Sequence, residues 1–316
     1  MLEKQPVLCL AHTRLRIDYD GNDSKSEGSK VRLKHASKVA VAALATSLVL
    51  LLTGCTAEQS QQLSRGFLPG TGNATNHTES IIHFWNGSWI VLWGVGIIAW
   101  GLMFYAVIVY RRRKGDTSIP RQIRYNNPIE TLFTVVPLIM VIGFFAFTAK
   151  TMTDIERPID SDVKIQVIGK QWSWDFNYVT DNAHESGIQG IGTTVADEKE
   201  LPTLWLPVNK SVEISLTSRD VIHSFWVVEF LYKKDMFPAH TNKMYFTPTQ
   251  IGEYSGKCAE LCGEYHSMML FNVKVVSQAD YDAHIADLKA AGNTGLIDDT
   301  YSRNQNLPGD NPEIRG

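Results

Sequence analysis

Two stretches of the chain are apolar for long enough to cross a bilayer. Residues 85–110 carry no charged side chain, and residues 129–149 carry one, Glu130, at their start. Each exceeds or matches the roughly 20 residues that span the hydrocarbon layer. Pro137 lies inside the second, where neighbouring helices can satisfy the carbonyl it frees. Trp85, Trp89 and Trp93 suit an interfacial belt at one end of the first span, and Arg111-Arg112-Arg113-Lys114 closes the other, with Arg121 and Arg124 in the same short connection. This basic connection is predicted to be cytoplasmic, so both outer ends of the hairpin, and everything after Lys150, lie outside. Beyond Lys150 the period changes. Val163, Ile165 and Val167 alternate with polar residues, as do Val212, Ile214 and Leu216, and again Phe271, Val273 and Val275. Period-two runs broken by Gly, Pro, Asn and Asp clusters predict a small β-sandwich or barrel over residues 151–277. Residues 180–202 read as a long Gly- and Thr-rich loop. Ser277, with Asp280 three places on, is placed to cap a short helix reaching about Ala291, which Gly292 would end. The polar residues 293–316 are expected to form a disordered tail.

The start of the chain reads as an export signal. Residues 1–30 have no apolar periodicity and are read as unstructured or as no part of the functional protein; initiation at Val31 would leave a conventional leader. Arg32, Lys34 and Lys38 precede an apolar run over residues 39–52, shorter than a spanning helix, and Leu52-Thr53-Gly54-Cys55 follows. That ending resembles a bacterial lipobox, which implies lipidation of Cys55 as the mature N-terminus; an uncleaved third helix is the alternative. The domain reading is therefore 1–54 extension and signal, 55–83 exported linker read as loop, 84–150 helical hairpin, 151–277 β-domain, and 278–316 helix and tail. Three Asn-x-Ser/Thr triplets, at Asn73, Asn76 and Asn86, are given no role.

Charge changes this picture little. Thirty basic residues face 33 acidic ones, which gives no footprint for nucleic acid. Four cysteines make no disulfide framework. Two of them, however, fall in Cys258-Ala259-Glu260-Leu261-Cys262-Gly263-Glu264-Tyr265-His266-Ser267-Met268-Met269. Two thiols, an imidazole and thioethers in one short loop are soft donors that lean to copper in electron-transfer sites; zinc rarely takes methionine, and the Cys-x-x-Cys-His of haem attachment is absent. His223, on an earlier strand-like segment, is a candidate further ligand. A Cys258–Cys262 disulfide in an oxidising compartment is the competing reading. A second stretch, Gly169-Lys170-Gln171-Trp172-Ser173-Trp174-Asp175-Phe176-Asn177-Tyr178, reads on its own as a strand with aromatic core residues.

From about Trp85 to Tyr281 the chain resembles cytochrome c oxidase subunit II of bacterial, actinobacterial type. The resemblance implies a two-helix transmembrane hairpin followed by an all-β cupredoxin-like Greek-key sandwich, in the plasma membrane with the sandwich on the outer face. It implies two copper ions bridged by Cys258 and Cys262, with His223 and His266 as terminal imidazoles, Met269 rather than Met268 as the weak thioether, and the Glu260 backbone carbonyl as a further donor. The Glu260 carboxylate would reach a magnesium shared with the catalytic subunit. Trp172 would be where electrons enter from a c-type cytochrome, with Asp175 and Asp235 as candidate docking charges. Glu130 would lie near the mouth of a proton path. The implied partners are oxidase subunits I and III, the cytochrome and membrane lipid, with no haem in this chain. Three alternatives compete: a quinol oxidase subunit, which lacks the copper ligands; a nitrous oxide reductase, for whose catalytic domain no room remains; and a membrane-anchored copper-delivery protein.

Overall fold

The computed structural model describes residues 46, 56–120, 122–187 and 201–299. The lipobox cysteine, the N-terminal extension, most of the 180–202 loop and the last residues of the tail lie outside the described residues.

The two apolar stretches form helices α2 (Thr78–Val109) and α3 (Asn127–Glu156), preceded by a short helix α1 (Ala57–Ser64). Both long helices are long and apolar enough to cross a membrane. Their apolar side chains, Ile90, Leu102 and Phe145 among them, stand exposed along the helices. A surface of that extent requires lipid or a partner subunit. Both helices run past the apolar limits read from sequence, because helical geometry does not stop where apolarity does. At one end Thr78 is buried against Thr75, their hydroxyls 3.1 Å apart. At the other, Glu156 accepts from the Tyr232 hydroxyl at 2.7 Å and pairs with Lys234, tying α3 to the β-domain. Pro137 is accommodated within α3.

The linker read as loop is partly ordered by pairing. Thr56 and Gln59 cap α1 reciprocally: Gln59 N donates to Thr56 Oγ1 at 3.2 Å and Thr56 N to Gln59 Oε1 at 3.0 Å. Further on, Asn76 N donates to the Thr247 carbonyl and Asn76 Oδ1 accepts from Thr247 N, at 3.0 and 2.8 Å, while Thr249 N donates to the Ala74 carbonyl at 2.9 Å. Two of the unassigned triplets thus fall in a strap along the β-domain.

Ten strands follow: β1 (Val163–Lys170), β2 (Ser173–Tyr178), β3 (Ala183–Ser186), β4 (Thr203–Pro207), β5 (Val212–Ser218), β6 (His223–Val227), β7 (Tyr232–Met236), β8 (Asn242–Phe246), β9 (Gly252–Cys258) and β10 (Leu270–Val276). They make two five-stranded sheets, ordered β3-β2-β1-β5-β8 and β4-β10-β9-β6-β7. β1 runs parallel to β5 and β10 parallel to β4; their other neighbours are antiparallel. The alternating residues that predicted strands face inward: Val163, Ile165, Val167, Val212, Ile214, Leu216, Phe271, Val273 and Val275 are all buried. Between the sheets Trp174, Phe225 and Phe271 pack with ring centroids 4.9–5.9 Å apart. Helix α4 (Gln278–Ala290) closes one edge, capped as expected by Ser277, with Tyr281, Ile285 and Leu288 turned in.

β2 is buried on both faces, and two features explain this. The first corrects the tail. Asn177 grips residue 297 with both side-chain atoms, accepting from Ile297 N at 2.8 Å and donating to its carbonyl at 2.9 Å. Gln166 donates to Asp299, and residues 293 and 295 pair with the backbone of His184 and Asn182. The described part of the tail, residues 293–299, is therefore anchored by these pairs, while Thr294, Asp298 and Asp299 stay exposed. The second is a buried ion pair. Lys170 Nζ lies 2.6 Å from Asp175 Oδ1, which also accepts from Ser186 Oγ at 2.6 Å. Lys170→Met would leave the Asp175 charge in a dry site with Arg219, 3.9 Å away, as its remaining cation, so unfolding of the detergent-solubilised chain is expected to show a loss of about 3 kcal/mol. A loss below about 1 kcal/mol would reject a stabilising role for the pair.

Candidate metal centre

The site forms where strand ends from one sheet meet a returning loop. His223 opens β6 and is fully buried, Cys258 closes β9, and Met269 immediately precedes β10. The register Phe225↔Cys258 sets β6 beside β9, and Ala259 N donates to the Ser224 carbonyl at 3.0 Å. Because β9 and β10 are antiparallel neighbours, the intervening loop must fold back on itself. Cys258 N donates to the Met269 carbonyl at 3.0 Å across its base. Gly263, at φ +126°, makes the reversal, and a single helical turn, His266–Met268, brings His266 inward.

The donor atoms converge. Cys258 Sγ stands 3.9 Å from Cys262 Sγ, 3.8 Å from His223 Nδ1 and 3.2 Å from the Glu260 carbonyl oxygen. Cys262 Sγ stands 3.5 Å from His266 Nδ1 and 3.8 Å from Met269 Sδ. Cys258 and Cys262 are free thiols, so the competing disulfide is not formed. Met269 is buried at the cluster while Met268 sits half-buried in the turn. Among the described residues, His223, Cys258 and Cys262 are the one group of such side chains close enough to hold a metal ion.

The electrostatics fit a cation. The hydrogen bond between the two sulfurs outweighs burial and, with the His223 ring, draws the Cys258 thiol far below the usual thiol range. Cys262 is pushed strongly upward by that same hydrogen bond, by burial and by the neighbouring negative sulfur. The two sulfurs, 3.9 Å apart, flank the place that a soft metal ion would take, and metal binding to them would release protons. Two thiolates, two imidazoles and a thioether are the donor chemistry of copper.

A surrounding shell escaped the sequence reading. Asp220 Oδ1 lies 2.8 Å from His223 Nε2, which leaves Nδ1 facing the sulfurs. Burial pushes the His223 ring down, but Asp220 and the Cys258 sulfur outweigh it and raise the ring above its ordinary value. Gly169 backs this histidine so closely that a Cβ there would fall 2.9 Å from His223 Cδ2. An aspartate three residues before a candidate ligand is the only signal the sequence offered.

Trp172 is half-buried beside the loop. Its indole N–H donates to the Cys262 carbonyl at 3.2 Å, and its ring meets that of Tyr265 edge to face, centroids 4.9 Å apart. Asp175 is fully buried and paired with Lys170, so it cannot serve as a docking charge; Asp235, on β7, is exposed. Glu260 projects from the loop with its side chain exposed. Glu130 lies far along the chain at the start of α3, where its carboxylate accepts from Asn126 N at 2.9 Å.

Family models match two parts of the chain: "Cytochrome C oxidase subunit II, periplasmic domain" over residues 163–276, and "Cytochrome C oxidase subunit II, transmembrane domain" over residues 67–149. A protein named "Probable cytochrome c oxidase subunit 2" from Streptomyces avermitilis is 42% identical over 291 residues, covering 81% of this chain and 88% of that one. "Cytochrome c oxidase subunit 2" from Mycobacterium tuberculosis is 31% identical over 300 residues, covering 78% and 81%. Among solved structures, the periplasmic domain of subunit II of cytochrome oxidase (CoxB) of Bradyrhizobium japonicum is 27% identical at a TM-score of 0.39, covering 42% of this chain and 97% of that one.

Proposed function

The chain belongs to the cytochrome c oxidase subunit II family, and from that premise we propose that it receives electrons from a c-type cytochrome at a binuclear copper centre and passes them to the catalytic subunit. It is a membrane protein with its copper domain outside, part of a haem-copper oxidase. The observation that carries the proposal is the convergence of both cysteine sulfurs with two imidazole Nδ1 atoms and one thioether sulfur.

Cys258, Cys262, His223, His266, Met269 Sδ and the Glu260 carbonyl would together hold the two ions. Bound there, the copper pair would supply one-electron redox chemistry. The chain's part is to hold that geometry. β6, β9 and β10 fix the ligands, burial excludes water, and Trp172 connects the surface to the Cys262 carbonyl through a single hydrogen bond. Trp172 is accordingly the residue proposed to receive electrons.

Four further assignments rest on the family alone. The exposed Glu260 carboxylate would reach a magnesium shared with subunit I, an oxygen-ligand role that suits that ion. Glu130 would stand at the mouth of a proton path, in addition to capping α3. Subunit III would join subunit I as a partner, and Cys55 would carry the lipid. The corresponding organisation is a signal over 1–54, a linker over 55–83, a hairpin over 84–150, the copper domain over 151–277 and the closing helix beyond.

Trp172→Phe tests the electron route. It keeps an aromatic ring but removes the N–H that reaches the Cys262 carbonyl. Uptake from a c-type cytochrome, followed by stopped flow on the copper-loaded full chain, is expected to slow about 10- to 100-fold while the copper absorption stays unchanged. Uptake at the wild-type rate would reject this role for Trp172.

A further inference from the structure

We propose that Asp220 is a positioning residue that holds the metal-facing histidine and the electron-accepting tryptophan in one register, each carboxylate oxygen committed to a different side. The proposal rests on the reading of the site as a copper centre.

Asp220 lies between β5 and β6 and is only 6% exposed. Its Oδ1 lies 2.8 Å from His223 Nε2 and accepts from Val221 N at 2.6 Å. Its Oδ2 accepts from Gln171 N at 2.7 Å. The Gln171 amide in turn donates to the Cys262 carbonyl at 2.7 Å, the same oxygen that receives the Trp172 indole N–H. A continuous hydrogen-bonded path therefore starts on the His223 ring, crosses Asp220, enters the turn between β1 and β2, and ends on the carbonyl of Cys262. Both ends lie on residues that are candidate copper ligands, and Trp172, next to Gln171, is fixed on the terminal carbonyl.

The chemistry requires a carboxylate. With His223 Nδ1 turned to the metal its Nε2 carries the ring N–H, so three N–H groups converge on Asp220, and an ionised carboxylate is the one side chain of this size that only accepts. An asparagine would keep one oxygen and turn an NH2 group on either the His223 ring or Gln171 N, donor against donor. One side of the path would then be released, freeing the ring to rotate or the tryptophan turn to lift from the loop. Burial also separates this role from that of a surface charge attracting a donor protein, because Asp220 has almost no surface to offer.

The test compares the wild-type full chain, copper-loaded in detergent, with Asp220→Asn and Asp220→Glu. The readouts are the copper hyperfine pattern, the reduction potential, and electron uptake from a c-type cytochrome and from a small ruthenium complex. Asp220→Asn is expected to alter the hyperfine splitting, shift the potential and slow uptake from the cytochrome by about tenfold or more, with less slowing from the ruthenium complex, which does not need the tryptophan. Asp220→Glu, with both oxygens on a longer arm, should fall between. A wild-type hyperfine pattern and potential in these variants overturns the proposal, including the case where the sole effect is a salt-dependent rise in KM for the cytochrome, the signature of a docking charge. If Asp220→Asn does not accumulate folded, Asp220→Glu is judged on the same readouts. A single-copper spectrum from the wild-type chain would contradict the two-copper reading; the positioning role is then decided by whether Asp220→Asn changes that spectrum.

Discussion

Cys262→Ser is expected to abolish the metal centre while leaving the sandwich folded. Cys262 Sγ is the hub of the cluster, with the sulfur of Cys258, the Nδ1 of His266 and the sulfur of Met269 all within 3.9 Å. Serine fits the space without strain, but its oxygen is a hard donor and a poor partner for copper. Residues that merely orient a ligand cost about 10- to 100-fold when removed, so losing a sulfur proposed as a ligand itself should cost at least about 100-fold in electron uptake. Metal analysis should show the copper content falling, and the thiolate-to-copper absorption should vanish. Unfolding of the metal-free variant should match the metal-free wild type, since the hydrogen bonds at the base of the loop come from the backbone of Cys258, Ala259 and Met269. A serine variant with wild-type copper content and uptake would remove Cys262 from the centre.

Trp174→Ala should have the largest effect on stability. Trp174 is fully buried, and its ring meets Phe225 and Phe271 edge to face while its indole N–H donates to the Met269 carbonyl at 3.4 Å. The His223 ring lies 6.4 Å from it, centroid to centroid. Truncation leaves a cavity between the sheets and is expected to cost about 3–5 kcal/mol in denaturant unfolding. Because the same ring packs beside His223 and below Met269, the copper affinity of the remaining folded protein should also drop. Trp172, two residues earlier, is half-buried at the surface, and its replacement should change stability far less. If the two substitutions cost the same, the separation of a core tryptophan from a half-buried surface one is wrong.

That separation marks how far sequence reading reached. The strands were legible because alternation matches burial directly: Val163, Ile165 and Val167 on β1 and Phe271, Val273 and Val275 on β10 all turn inward. The metal loop was legible because its donors are contiguous, and His223 was a candidate because it lies on a strand-like segment upstream, a reading the likeness to a known family reinforced. Residues whose role depends on a partner elsewhere were not legible. Asp175 looked like a surface charge, yet β2 is covered on both faces and Lys170 lies 2.6 Å away. The polar tail looked solvated, but Asn177, more than a hundred residues earlier, holds Ile297. Asp220 gave no periodic or motif signal, because a single aspartate in a turn has many ordinary uses. Burial and pairing are tertiary facts, and a one-dimensional pattern records only the residues that make them available.

The central claim is that one site in this chain holds two copper ions sharing two sulfurs. Electron paramagnetic resonance of the copper-loaded full chain tests it most directly. An electron delocalised over two copper nuclei produces a hyperfine pattern richer than that of one nucleus, together with purple absorption from the bridging thiolates, and this is the result expected. A four-line spectrum from a single copper ion would contradict the account.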